Sequence, residues 1–129
     1  MKKGILLIII AICCLAACKK TSVSPGLFGK WELRNEAGGI AGTDSAYKAG
    51  NGTVLQLNSD STYQHYIKGR LYNQGMFHVE MVYPPSGPYD EIFYDGNTSG
   101  QYLKLNGTQL VIGTDYDDGM AATYQKISD

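Results

Sequence analysis

Beyond residue 18 the chain contains no cysteine; its three are Cys13, Cys14 and Cys18. Residues 19–129 therefore carry no disulfide, thiol nucleophile or thiolate metal site, and must fold on a hydrophobic core alone. Histidine is almost as scarce. His65 and His78 fall on opposite faces by strand parity, which argues against a two-histidine metal site. No G-x-S-x-G elbow accompanies the serines. The longest apolar run, Gly4 to Ala17, has 14 residues, short of the roughly 20 that span a bilayer as a helix. Basic charge thins out along the chain: from Leu71 onward there are 2 basic and 8 acidic side chains. That balance excludes the basic footprint of a nucleic-acid binder. Nothing here supports catalysis or a cofactor.

What is present begins with an address. Lys2 and Lys3, the apolar run and the small residues Ala16-Ala17 have the build of a secretory signal, residues 1–17. Leu15-Ala16-Ala17-Cys18 resembles the lipobox of bacterial lipoproteins. The resemblance implies cleavage before Cys18 and acylation of its thiol. More than one acyl chain, at about 0.8 kcal/mol per buried CH₂, gives stable anchoring to a membrane. Lys19, where an aspartate favours inner-membrane retention of such lipoproteins, implies the outer membrane. The absence of an acidic cluster after Cys18 implies a periplasm-facing domain. Residues 18–26 then read as a lipidated polar tether ending in the turn signal Pro25-Gly26, and residues 27–129 as one small domain.

The domain alternates with a period of two nearly throughout, and no helical stripe of adequate length interrupts it. Strands are expected at 29–35, 53–58, 62–69, 71–82, 89–95, 101–106, 109–115 and 120–127. The separators include Asp95-Gly96, Asn106-Gly107 and Asp118-Gly119, pairs that tolerate positive φ and suit tight hairpins. Eight short strands in sequence order predict an all-β fold, an eight-stranded antiparallel up-and-down barrel. Two connections depart from this pattern. Glu36 to Gly52 is a long glycine-rich link, and YPPSGPY, Tyr83 to Tyr89, is a stiff proline loop.

Gly29-Lys30-Trp31 on the first strand looks like the G-x-W motif of the lipocalins and wider calycin barrels. Along most of its length the domain resembles the small lipocalin-like lipoproteins common in Bacteroidetes. GKWEL, VLQLNSDSTYQHY, GMFHV, LKLNGTQLVI and the closing TYQKI carry that resemblance. It implies a barrel whose base is closed by Trp31, with Lys126 as the late basic residue that packs across the tryptophan. The R-x-Y clamp of the intracellular fatty-acid-binding calycins is incomplete: Tyr124 matches, but Ala122 stands at the arginine position. Asp44-Ser45-Ala46 and Asp60-Ser61-Thr62 resemble the sites at which Bacteroidetes O-glycosylate exported proteins.

Alternation places Trp31, Leu33, Leu55, Leu57, Tyr63, His65, Ile67, Phe77, Val79, Met81, Ile92, Tyr94, Leu103, Leu105, Leu110, Ile112 and Tyr124 inside. A barrel of eight strands holds either side chains or one small ligand, and so many large residues favour a filled core. Two functional readings follow. In the first, the barrel binds a small apolar or amphipathic ligand through Tyr63, His65, Tyr94 and Tyr124. In the second, a filled barrel serves as a protein-binding module, an envelope scaffold or an inhibitor of an exported enzyme, with Tyr47, Tyr83 and Tyr89 as anchors. Asp115, Asp117 and Asp118 resemble the start of a calcium loop, but Gly119 comes one position early and no glutamate closes it.

Overall fold

The computed structural model describes residues 23–114 and 119–129. The signal at 1–17, Cys18, most of the tether, and Asp115, Asp117 and Asp118 lie outside the described residues. A 3₁₀ turn at Pro25–Leu27 leads into nine strands. They are β1 (Gly29–Gly38), β2 (Thr43–Ala46), β3 (Val54–Leu57), β4 (Thr62–Ile67) and β5 (Arg70–Val82). β6 (Tyr89–Tyr94), β7 (Gln101–Asn106), β8 (Gln109–Gly113) and β9 (Met120–Ser128) complete the set.

Strands β3 to β9 pair antiparallel with their neighbours in sequence order, and β1 pairs with both β3 and β9. The result is a closed eight-stranded antiparallel barrel, which leaves no long sheet edge for another chain to pair with.

The ninth strand corrects one expectation. The glycine-rich link is no simple connection, because residues 43–46 return as β2 and pair with the second half of β1, Asn35 to Gly38. The first half of β1, Gly29 to Glu32, pairs with β3. One long strand thus serves two partners on the same edge. Its glycines had hidden the hairpin, since Gly38, Gly39 and Gly42 all have positive φ and form the reversal itself.

The stretch that follows is tied down. Glu32, only 5% exposed, accepts hydrogen bonds from the N–H of Gly50 at 2.9 Å and of Gly52 at 3.4 Å, and pairs with Arg34. Asn51 donates through Nδ2 to the Leu33 carbonyl at 2.8 Å.

Strand direction gives the barrel two poles. At the base lie the 3₁₀ turn, the β3–β4 and β7–β8 turns, the 83–88 loop and the chain's C-terminus. At the mouth lie the β1–β2 and β4–β5 turns and the β6–β7 loop. One contiguous core fills the lower part, with Trp31, Leu57, Ile92 and Leu110 wholly enclosed.

Two residues expected inside are not. Ile67 and Met81 are 38% and 55% exposed, because they sit at the ends of β4 and β5, where strands outrun the core. Conversely, Leu27 is buried beneath Trp31, and Val23 packs against the same cluster. The end of the stretch assigned to the tether is therefore part of the packed base. Phe93 points outward yet is 9% exposed; it stacks on His78 at 4.8 Å between ring centroids.

Candidate functional site

The base is sealed by a small set of contacts around Trp31. Its indole N–H donates to the Leu27 carbonyl at 2.8 Å, so the one polar atom of the buried ring is satisfied. Lys126, opposite Trp31 on β9, places Nζ 5.6 Å from the indole centroid. The same ammonium donates to the Gly26 carbonyl at 3.3 Å and pairs with Asp129 at 2.7 Å. Gly29 is required here: it has φ +128°, and a Cβ would collide with the Ser128 carbonyl of β9. Close approach of the two strands and an enclosed indole explain why glycine and tryptophan stand two apart.

Above this floor the barrel is not filled. A cavity of about 300 Å³ opens at the mouth. Its walls are Leu55 of β3, Tyr63 and His65 of β4, Asn73 of β5, Tyr94 of β6, Gln101 of β7, Ile112 of β8 and Tyr124 of β9, with Asp95 and Asn97 from the β6–β7 loop. The four residues assigned to ligand contact, Tyr63, His65, Tyr94 and Tyr124, all line this one space. Leu55 and Ile112 are its aliphatic walls, and the other eight lining residues each carry a polar side-chain atom. A second recess, about 400 Å³, lies at the base between residues 28–30, 56–60 and Asp129. It has none of the buried tyrosines that distinguish the upper cavity.

Hydrogen bonds fix the polar side of the cavity. Tyr63 Oη donates to Asp95 Oδ2 at 2.6 Å, and the Met76 N–H donates to Asp95 Oδ1 at 3.0 Å. Tyr63 and Tyr94 meet edge to face at 4.7 Å. Burial, then the Asp95 carboxylate, pushes the Tyr63 hydroxyl up to about 12. Burial, then the Glu36 charge, does the same to Tyr124, and burial drives Tyr94 higher still. All three are neutral phenols at any physiological pH. Burial lowers His65 below its usual range, against the Asn73 side chain and the Glu36 charge, which pull it upward. A neutral imidazole offers one donor and one acceptor.

Glu36 reaches this environment through a bulge. Leu33 lies opposite Tyr124, but Asn35 lies opposite Thr123, so Arg34 is an extra residue in β1. The insertion inverts side-chain parity, and Glu36 joins the face of Ala122 and Tyr124. Tyr47 Oη donates to its Oε2 at 2.6 Å.

Sequence reasoning missed Glu36, Asn73, Asp95, Asn97 and Gln101. Gln101 was within reach, since it shares parity with Leu103 and Leu105. Asp95 was read only as a turn former, which it also is: Asp95 and Gly96 have φ of 52° and 71°, as a type I′ turn demands.

The second set of candidates does not converge. Tyr47 lies at the mouth and is tied to Glu36, whereas Tyr83 and Tyr89 flank the base loop. β1 ends at the mouth and β5 at the base, so the two loops cannot share a surface. Tyr83 is exposed, while Tyr89 is half-buried and meets Tyr102 edge to face at 5.3 Å. In the two Asp-Ser motifs, Ser45 is half-buried within β2, and Ser61 is exposed in the β3–β4 turn. Among the described residues no three His, Cys, Asp or Glu side chains gather as metal ligands, and no helix is long and apolar enough to cross a membrane. No family model, curated protein or solved structure matches the chain.

Proposed function

We propose that this chain is an exported envelope lipoprotein, anchored through acylated Cys18 to the outer membrane and facing the periplasm. Its barrel resembles the lipocalin-like lipoproteins and binds a small amphipathic ligand without catalysis. The observation that carries the ligand reading is the mouth cavity, where Tyr63, Tyr94, Tyr124 and His65 surround about 300 Å³ above the packed base. That volume lies at the small end of ligand pockets, which run from about 300 to 1,000 Å³. It suits a compact molecule better than a long acyl chain.

The test is native mass spectrometry of residues 19–129 purified from a periplasm. A reproducible added mass, lost on gentle activation and reduced by Tyr94→Ala, is the expected result. A clean protein mass that no panel of small amphiphiles shifts overturns the reading.

A second reading, docking of an envelope protein, draws on the exposed apolar residues of the mouth end: Ile40, Leu71, Tyr72 and Met120. It predicts that Leu71→Glu with Tyr72→Glu abolishes a complex cross-linked in the envelope while leaving ligand occupancy intact.

A further inference from the structure

The charge of the cavity is one-sided. Among the described residues no lysine or arginine lines it, and Asp95 does. The Asp95 carboxylate is built in rather than draped there. It begins the turn closed by the Asn97 N–H to the Tyr94 carbonyl at 3.0 Å, and it accepts one hydrogen bond on each oxygen. Opposite it, Gly75 supplies the room, since a Cβ at that position would run into Asp95 Oδ1. Each oxygen keeps acceptor capacity beyond the bond it already receives.

A second carboxylate, Glu36, stands near the cavity without lining it. The bulge at Arg34 turns Glu36 toward Tyr124, and its charge is felt at both Tyr124 and His65. Tyr94 and Tyr124 line the same cavity, and their hydroxyls have no hydrogen-bond partner among the described residues. Among the described residues no fully enclosed side-chain nitrogen or oxygen lacks a partner, so those hydroxyls open onto the cavity. Each presents an O–H donor, acceptor lone pairs and a π face to whatever enters.

We propose that the cavity selects a small organic cation, an ammonium group on a short aromatic or alkyl body. This rests on the ligand-binding reading above and names the class of ligand. Carboxylates, phenol oxygens and aromatic faces all attract an ammonium group. A carboxylate ligand of equal size meets the Asp95 charge, with Glu36 nearby, and no lysine or arginine among the described lining residues, an arrangement that disfavours its ionised form.

Three probes with the same ring and chain separate charge from shape: phenethylamine, phenethyl alcohol and phenylacetate. Each is titrated into ¹⁵N-labelled residues 19–129 at pH 7 and low salt, following the amides of Tyr94, Asp95 and Gln101. The amine is expected to bind tightest and phenylacetate at least about tenfold more weakly, a difference of roughly 1.4 kcal/mol. The variant Asp95→Asn with Glu36→Gln retains the wild-type spectrum elsewhere and brings the three probes close together. Phenylacetate binding as well as the amine, or a charge order that survives in the variant, overturns the proposal while leaving a ligand cavity in place. Failure of all three probes, together with a clean native mass, removes the cavity reading and this inference with it.

Discussion

The Asp95 carboxylate occupies the space that a side chain at Gly75 would need. Gly75 lies opposite Tyr63 across the β4–β5 pair, and Tyr63 holds the far oxygen of the same carboxylate. Gly75→Ala must therefore displace Asp95 and break both of its hydrogen bonds. The expected loss is about 1–3 kcal/mol of stability by urea denaturation, the range for overpacking. Cation binding at the cavity falls in parallel. Asp95→Asn, which tolerates the same positive φ, is expected to unfold at a urea concentration closer to wild type.

The lone tryptophan gives a direct optical report on the base. Trp31→Phe leaves the Leu27 carbonyl without its donor and part of the core unfilled, at an expected cost of about 1–3 kcal/mol. Lys126→Met removes the ammonium over the indole, a contact worth about 0.5–1 kcal/mol. Trp31 emission in the folded protein should be blue-shifted and resistant to acrylamide. In Lys126→Met it should become more quenchable before any change in far-ultraviolet circular dichroism.

Glu32 links stability to acid. The Gly50 N–H, with further help from Arg34 and Gly52, holds its carboxyl below the ordinary value of 4.5, although burial pulls the other way. A carboxyl lowered by folding stabilises the native state above its unfolded pKa. That contribution is lost as pH falls through the lowered value. Urea midpoints measured from pH 6 down to pH 3 should decline less steeply in Glu32→Gln than in wild type. Hydrogen exchange at the Gly50 amide should rise in the variant at pH 7.

The phenols titrate at the opposite extreme. Tyr63 and Tyr124 are raised to about 12, and Tyr94 further. For a phenol raised by folding, stability is complete below the unfolded value near 10. It is lost as pH climbs through the folded value. Absorbance at 295 nm should show these three phenols ionising late, together with unfolding. In Tyr94→Phe the late step should shrink by one phenol.

Under the anchoring proposed above, Cys18 is the residue that carries the acyl chains. In a bacterial host that acylates lipoproteins, the wild-type chain is expected to enter the detergent phase on cloud-point separation, and Cys18→Ala to remain largely uncleaved at residue 17. Metabolic labelling with an alkyne fatty acid should mark the first and not the second. Equal labelling of both would place the acyl chain elsewhere.

Much of the barrel was legible because period-two alternation in the chain is also the geometry of the wall. Trp31 and Leu33, Phe77 and Val79, and Leu110 and Ile112 announce their face without further information. The four ligand-contact candidates came from the same parity. What stayed hidden depends on events that break parity or occur outside strands. The bulge at Arg34 turns Glu36 inward, and no residue pattern in NEAGG marks it. Asp95 enters the cavity from a turn, where the alternation rule does not apply. Met81 follows the rule perfectly but lies beyond the end of the core, because alternation reports a direction and says nothing about depth. The number of large inward residues favoured a filled core, but they crowd the base and thin out toward the mouth, where the cavity of about 300 Å³ lies.

Because the 3₁₀ turn closes one pole and the cavity opens at the other, anchoring would give the barrel an orientation. From Cys18 to Val23 the chain reaches at most about 17 Å when fully extended. A tilted nine-residue strand such as β9 spans about 20–25 Å from base to mouth. Under the lipid anchoring proposed above, the tether is too short to run the barrel's height and press its mouth to the leaflet that holds it. Loading and release would then take place on the aqueous side. Exchange would be governed by the ligand's solubility in water, or by a carrier approaching from across the periplasm, rather than by partitioning from the home membrane.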